Sequence, residues 1–142
     1  ALAEFGADGA QVRFCYSPFE LDEKSEELAR ALRENPQITA VVCASDSQTM
    51  NTVQQLAKIR RRIPEDMSVV CLAGTYLTRN YYPRIASYCT AFEKMGELVA
   101  EDLLGQFEGK IPETLHRKVD FMFDPGESIS VPRGESGSVK EE

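Results

Sequence analysis

Short runs of β-branched and small apolar residues alternate along the chain with stretches whose apolar positions recur every three or four residues. This pattern predicts strand-helix-strand units and a mainly parallel sheet flanked by helices, an α/β fold. Val12 to Tyr16 (Val-Arg-Phe-Cys-Tyr) reads as a first strand. A helix is expected from a cap at Asp22 to about Glu34, with Leu28 and Leu32 four apart and Asn35-Pro36 stopping it. Ile38 to Cys43 is nearly continuous in apolar residues, as a strand covered on both faces requires. Ser45 or Asp46 then caps a second helix, with Met50, Val53, Leu56 and Ala57 on its buried face. Met67 to Leu72 is the next buried strand, and Ala73 to Arg84 a long loop rich in Gly, Thr, Asn and Tyr. Ile85 to Cys89 extends again. Phe92, Met95, Val99, Leu103 and Phe107 mark an amphipathic helix of about four turns, ended by Gly109. Leu115 to Phe123 and Glu127 to Val131 form a closing pair of extended segments around the Asp124-Pro125-Gly126 turn.

The ends look different. Residues 134–142 are polar and glycine-containing and read as a disordered tail after a domain spanning 1–133. Ala1-Leu2-Ala3-Glu4-Phe5-Gly6 reads as the end of a helix with its glycine stop, so the chain is expected to belong to a longer protein.

Composition narrows the function classes. Among 142 residues, 42% are hydrophobic and 27% charged, the balance of one ordinary globular domain. No run approaches the roughly 20 apolar residues that span a bilayer, and the N-terminus has no basic segment followed by an apolar one, so a cytoplasmic protein is expected, without a membrane partner. The net charge of -7 opposes attraction to phosphate backbones, and this segment is not expected to bind DNA by itself. The basic run Arg60-Arg61-Arg62 falls where a helix closes and cations oppose the negative end of its dipole. Cys15, Cys43, Cys71 and Cys89 lie far apart, each inside an expected strand, and His116 is the single histidine. Buried reduced thiols fit this arrangement better than a metal site, so neither metal nor cofactor is expected. No nucleophile with its base, acid pair or phosphate-cradling glycine loop is evident, so no enzyme is expected. Asp46 at a strand end would suit a phosphoacceptor, but Tyr16-Ser17-Pro18 stands where the accompanying acidic pair belongs.

Three ordered motifs carry a resemblance. Ile38-Thr-Ala-Val-Val-Cys-Ala-Ser-Asp46 is similar to a strand ending in an Asn-Asp turn, with Ser45 in place of the Asn. Arg62-Ile-Pro-Glu-Asp-Met-Ser-Val-Val70 is close to a Val-Pro-Glu-Asp-Val-Ser-Val-Val run. Pro83, then Ile85 to Thr90, Phe92, Gly96 and Ala100 resemble the strand and helix after a ligand cleft. Together they resemble the effector-binding, periplasmic-binding-protein-like (type I) domain of lactose-repressor/galactose-repressor (LacI/GalR) transcription regulators. The resemblance implies two α/β lobes closing on a small-molecule effector, with this chain holding chiefly the C-terminal lobe. It also assigns the helix at about 92–108 to the other lobe, whose absence would expose the apolar stripe and favour dimerisation, swapping or repacking. DNA binding would reside in a separate N-terminal helix-turn-helix domain.

Strand C-termini of open parallel sheets converge on the ligand crevice, so Ser45, Asp46, Ala73, Thr90 and Met95 are the candidate ligand residues. Ser45 stands at the family's sugar-contacting Asn and would contact a ligand or cap the helix; Asp46 would start the helix or touch the ligand. Leu72-Ala73-Gly74 replaces the family's Phe-Asp-Asp or Tyr-Asp-Asp, removing a carboxylate that grips sugar hydroxyls. Thr90 stands at a frequent Gln and Met95 at an apolar wall position. The pocket is therefore expected to be smaller and less polar: either the effector is not a typical sugar, or the sensor has lost its ligand and serves dimerisation. Tyr76, Tyr81 and Tyr82 would stack on a sugar or, as preferred, join Met50 in a homodimer interface. A transporter's solute-binding protein shares the two-lobed fold and is the alternative.

Overall fold

The computed structural model describes residues 27–110 and 116–132. The expected strand at Val12 to Tyr16, the helix start at Asp22, the thiol of Cys15 and the tail at 134–142 lie outside these residues. Eight elements follow one another: α1 (Glu27–Glu34), β1 (Ala40–Cys43), α2 (Asp46–Lys58), β2 (Ser68–Gly74), α3 (Tyr76–Asn80), β3 (Ala86–Cys89), α4 (Phe92–Phe107) and β4 (Met122–Asp124). The strands form one sheet in the order β1-β2-β3-β4, parallel through β3 with β4 antiparallel at the edge.

Strand order matching chain order has a steric consequence. Right-handed crossovers between successive parallel strands that advance in one direction put their helices on one face of the sheet. Accordingly α2 packs on β1 and β2, and α1 packs on α2. Leu32, Cys43, Val53, Leu56, Met67, Val69, Cys71 and Ile85 form the core between these helices and the sheet. Alternation along the strands turns Val42, Leu72, Tyr88 and Phe123 the other way, where they remain 43% to 63% exposed. Tyr88 and Phe123, opposite each other in the ladder, have ring centroids 5.0 Å apart.

Local chemistry explains the boundaries and corrects several expectations. Asn35 ends α1 by donating its side-chain amide to the Ala31 carbonyl at 2.8 Å, and Pro36 follows. The buried face of α2 consists of Thr49, Thr52, Val53, Gln55 and Leu56, whereas Met50 is half-buried and Ala57 exposed. Polar residues take this face because they have partners there: Gln55 Oε1 accepts from the Ala29 amide of α1 at 3.2 Å. The arginine run lies just beyond α2. Arg60 adopts the left-handed conformation (φ 59) that closes a helix, and Arg62 pairs with Asp66 at 3.0 Å. The stretch expected as a loop from Ala73 to Arg84 begins as strand through Gly74 and contains α3, capped by the Thr75 hydroxyl. The turn at Asp124-Pro125-Gly126 forms, with Gly126 at φ 51, but its two arms go to different partners. β4 pairs with β3, while Glu127 to Val131 continues beside β2. There Ser128, fully buried, accepts from the Val69 amide at 2.9 Å, donates its hydroxyl to the Val69 carbonyl at 2.5 Å, and accepts from the Ala86 amide at 2.8 Å.

Candidate functional site

The C-terminal ends of β1, β2 and β3 come together at one edge of the sheet. Cys43 lies beside Cys71 in the ladder; two residues further on, Ser45 has left β1 while Ala73 is still within β2, one residue before its end. Between β2 and β3 the register shifts from Cys71↔Ser87 to Gly74↔Cys89, a bulge that brings Thr75 and Thr90 to adjacent positions just past the strands. Bulges commonly re-aim residues in this way beside binding sites. Gly74 is needed for the close approach, since a Cβ there would meet the Ser87 Cβ at 2.4 Å.

Ser45 is the N-cap of α2, with extended backbone (φ -148, ψ 165). Its hydroxyl accepts from the Gln48 amide at 3.4 Å and exchanges a hydrogen bond with Ser47 Oγ at 3.1 Å. The capping bond is long, and Ser45 remains only half-buried. Asp46 opens α2, where a negative charge meets the positive end of the helix dipole. Its carboxylate faces the neighbouring strand end. Oδ1 accepts from the Thr75 amide at 3.2 Å and from the Cys71 thiol at 3.8 Å, and Oδ2 accepts from the Thr75 hydroxyl. Thr75 is the partner of Asp46 at these strand ends that sequence reasoning missed; the signal available was a Thr directly after Gly74 at a strand end.

Ala73 and Thr90 are half-buried, and the Thr90 carbonyl accepts from the Phe92 amide at 2.9 Å as the chain turns into α4. Met95 stands apart from this group on α4, a helix none of whose residues is buried. Its stripe is open, with Phe107 at 87% exposure. Of the aromatic candidates, Tyr76 and Tyr82 are exposed, while Tyr81 packs partly on the core.

Near these strand ends, burial pushes the Cys43 and Cys71 thiols above their ordinary range. Hydrogen bonds from neighbours only partly offset this, from Thr52 and then Thr49 for Cys43, and from Thr49 for Cys71. Cys43, Cys71 and Cys89 are free and buried. Such thiols behave as small apolar groups. The Arg79 guanidinium is held in its charged form by the Cys89 sulfur and by Asp124, 3.9 Å away. Among the described residues no group of three His, Cys, Asp or Glu side chains could hold a metal ion, and no helix is long and apolar enough to cross a membrane. A shallow cavity of about 220 Å³ opens at the opposite end of the sheet, between Pro36, Arg61, Glu65, Ser68 and Ser130. It contains none of the candidate residues.

Residues 2–129 match the model of the periplasmic binding protein-like domain family. Over 104 residues the chain is 30% identical to the HTH-type transcriptional regulator GntR of Escherichia coli K12, covering 73% of this chain and 31% of that protein. It is 36% identical over 83 residues to an uncharacterized HTH-type transcriptional regulator, YvdE, of Bacillus subtilis, covering 58% and 26%. The chain thus spans about a third of the length of GntR. Among solved structures, the transcriptional regulator CelR-cellobiose complex superposes with a TM-score of 0.70 at 22% identity, over 89% of this chain and 39% of that one. A LacI family regulator from Arthrobacter sp. FB24 in complex with lactose gives 0.69 at 23% identity, over 74% and 40%. Both solved structures share the fold described above.

Proposed function

Because the chain belongs to the family of periplasmic binding protein-like domains, in the form found in LacI-type transcription regulators, we propose that it is the ligand-sensing and dimerisation part of such a regulator. A small effector binds at the strand ends, and lobe closure changes how a dimer presents helix-turn-helix domains located outside these residues. The observation that carries this reading is the convergence of Ser45, Ala73 and Thr90 at the C-terminal edge of a parallel sheet, the crevice position of open α/β folds.

The chemistry of the crevice favours recognition without catalysis. Among the described residues it offers hydroxyls and backbone groups; the Asp46 carboxylate is engaged by Thr75, and His116 is exposed elsewhere. A hydroxyl-bearing effector fits these donors and acceptors, and two structural neighbours hold cellobiose and lactose. Ala73 supplies no carboxylate, so a sugar would be gripped with fewer polar contacts. Homodimerisation is supported by the exposed stripe of α4 and by Tyr76 and Tyr82, since large exposed apolar surfaces mark contact sites.

The test is a thermal-shift screen of the full-length regulator against sugars, sugar phosphates, nucleosides and amino acids. A compound raising the melting temperature with concentration, and losing about tenfold or more in affinity with Ser45→Ala or Thr90→Ala, supports an effector site here. Silence across the panel, with an intact dimer, would instead assign the domain to dimerisation alone.

A further inference from the structure

Asp46 and Thr75 are 29 residues apart in the chain and lie at the ends of neighbouring strands. We propose that Asp46 is a positioning residue of the crevice, a latch that holds the β2–α3 junction against the start of α2 and so fixes the gap between Ser45 and Ala73. The proposal rests on reading the strand ends as the effector crevice.

Three features support it. Both carboxylate oxygens are directed at the junction, one to the Thr75 amide and the other to its hydroxyl, with the Cys71 thiol adding a third donor. Hydrogen bonds to an ionised acceptor are about twice as strong as neutral ones. Next, the latch joins the positions that matter. Asp46 follows Ser45 directly, so the two share the first turn of α2, while Thr75 follows Gly74 and caps α3. Finally, α3 is short. It has five residues, of which only Thr78 is buried, and beyond its packing on β2 and α2 it is tied by the Ile85 amide donating to the Thr78 carbonyl at 3.0 Å, by Thr78 Oγ1 and Ser87 Oγ at 3.5 Å, and by the Arg79–Asp124 pair at 3.9 Å. A single turn of helix has almost no stability of its own. Losing the latch would loosen the start of α3 and the end of β2 while the core, built on Leu56, Val69 and Ile85, kept its packing.

Hydrogen-deuterium exchange of the full-length regulator, read by mass spectrometry in the absence of any effector, tests this directly. In Asp46→Ala, peptides covering Gly74 to Asn80 are expected to exchange at least tenfold faster than in the parent, with peptides covering Val53 to Ala57 unchanged. Thr75→Val, which keeps the amide donor and loses the hydroxyl, should show a smaller acceleration confined to the same peptides. Thr75→Ser should restore the parent rate, a rescue that depends on the hydroxyl and not on side-chain volume. Unchanged rates at Gly74 to Asn80 in both Asp46→Ala and Thr75→Val, or acceleration spread equally over the core peptides in both, would overturn the latch. A silent effector screen would count against the crevice as a binding site and leave this exchange pattern standing, so the two readings fail separately.

Discussion

Gly74 stands where β2 passes close to Ser87 and Thr78. A methyl group there would lie 2.4 Å from the Ser87 Cβ, 2.5 Å from its Oγ and 2.8 Å from Thr78 Oγ1. Gly74→Ala should therefore push β2 and β3 apart and cost about 1 to 3 kcal/mol, read as a lower urea midpoint with the same slope. At the same scale, the buried thiols give stability a pH dependence. The folded-state pKa of Cys43 and of Cys71 is raised above the ordinary 9.0, so both folded and unfolded chains are protonated in neutral solution. As pH rises past about 9 the unfolded chain releases these protons first, and stability is lost until the folded values are passed. The urea midpoint should hold steady between about pH 6 and 8 and fall above about 9, less steeply in a Cys43→Ala/Cys71→Ala double variant. Residue roles were legible in the sequence where they depend on near neighbours. Ser45 could be read as a cap because its partner, Gln48, is three residues on. The partner of Asp46 could not, because only the strand register brings Thr75 beside it.

At the scale of elements, long periodic stretches and strands were readable, and their faces and short neighbours were less so. β1, α2, β2, β3 and α4 follow from apolar runs and helical spacing. The face of α2 departs from its apolar residues because Thr49, Thr52 and Gln55 have partners in the interior: Ser45, Cys43 and Ala29. A hydropathy pattern counts Met50 and Ala57 as core and cannot see those hydrogen bonds. α3 was missed because five residues are too few to show a period and its flanks are rich in turn formers. Leu56 anchors α2 to the sheet with no exposed surface at all. Leu56→Ala should cost about 2 to 5 kcal/mol, whereas Leu103→Ala on the open face of α4 should change the unfolding midpoint of the isolated chain little. Equilibrium urea unfolding of the two variants side by side would show the contrast.

For the whole molecule, the sequential strand order leaves one face of the sheet clothed by helices and the other carrying exposed Val42, Leu72, Tyr88 and Phe123. The alternation of strands and helices announced the α/β class, but a pattern local to each element does not say which strand neighbours which, nor that the last segment crosses back to β2. That return closes the core. Ser128 joins β2 to β3 through Val69 and Ala86, and Ser130 exchanges hydrogen bonds with the Ser68 hydroxyl at 3.1 Å. Ending the chain at Gly126 should lower the melting temperature by several degrees and speed exchange at the Val69 and Ala86 amides, whose acceptors lie in the deleted segment. The same return also sets a schedule during synthesis. Ser128 follows Ala86 by 42 residues, and ribosomes add roughly 5 to 20 residues per second, so each new copy spends about 2 to 8 s with its central strands translated and their fastening not yet made. A chaperone that shields apolar strands would find its clearest opportunity in that interval.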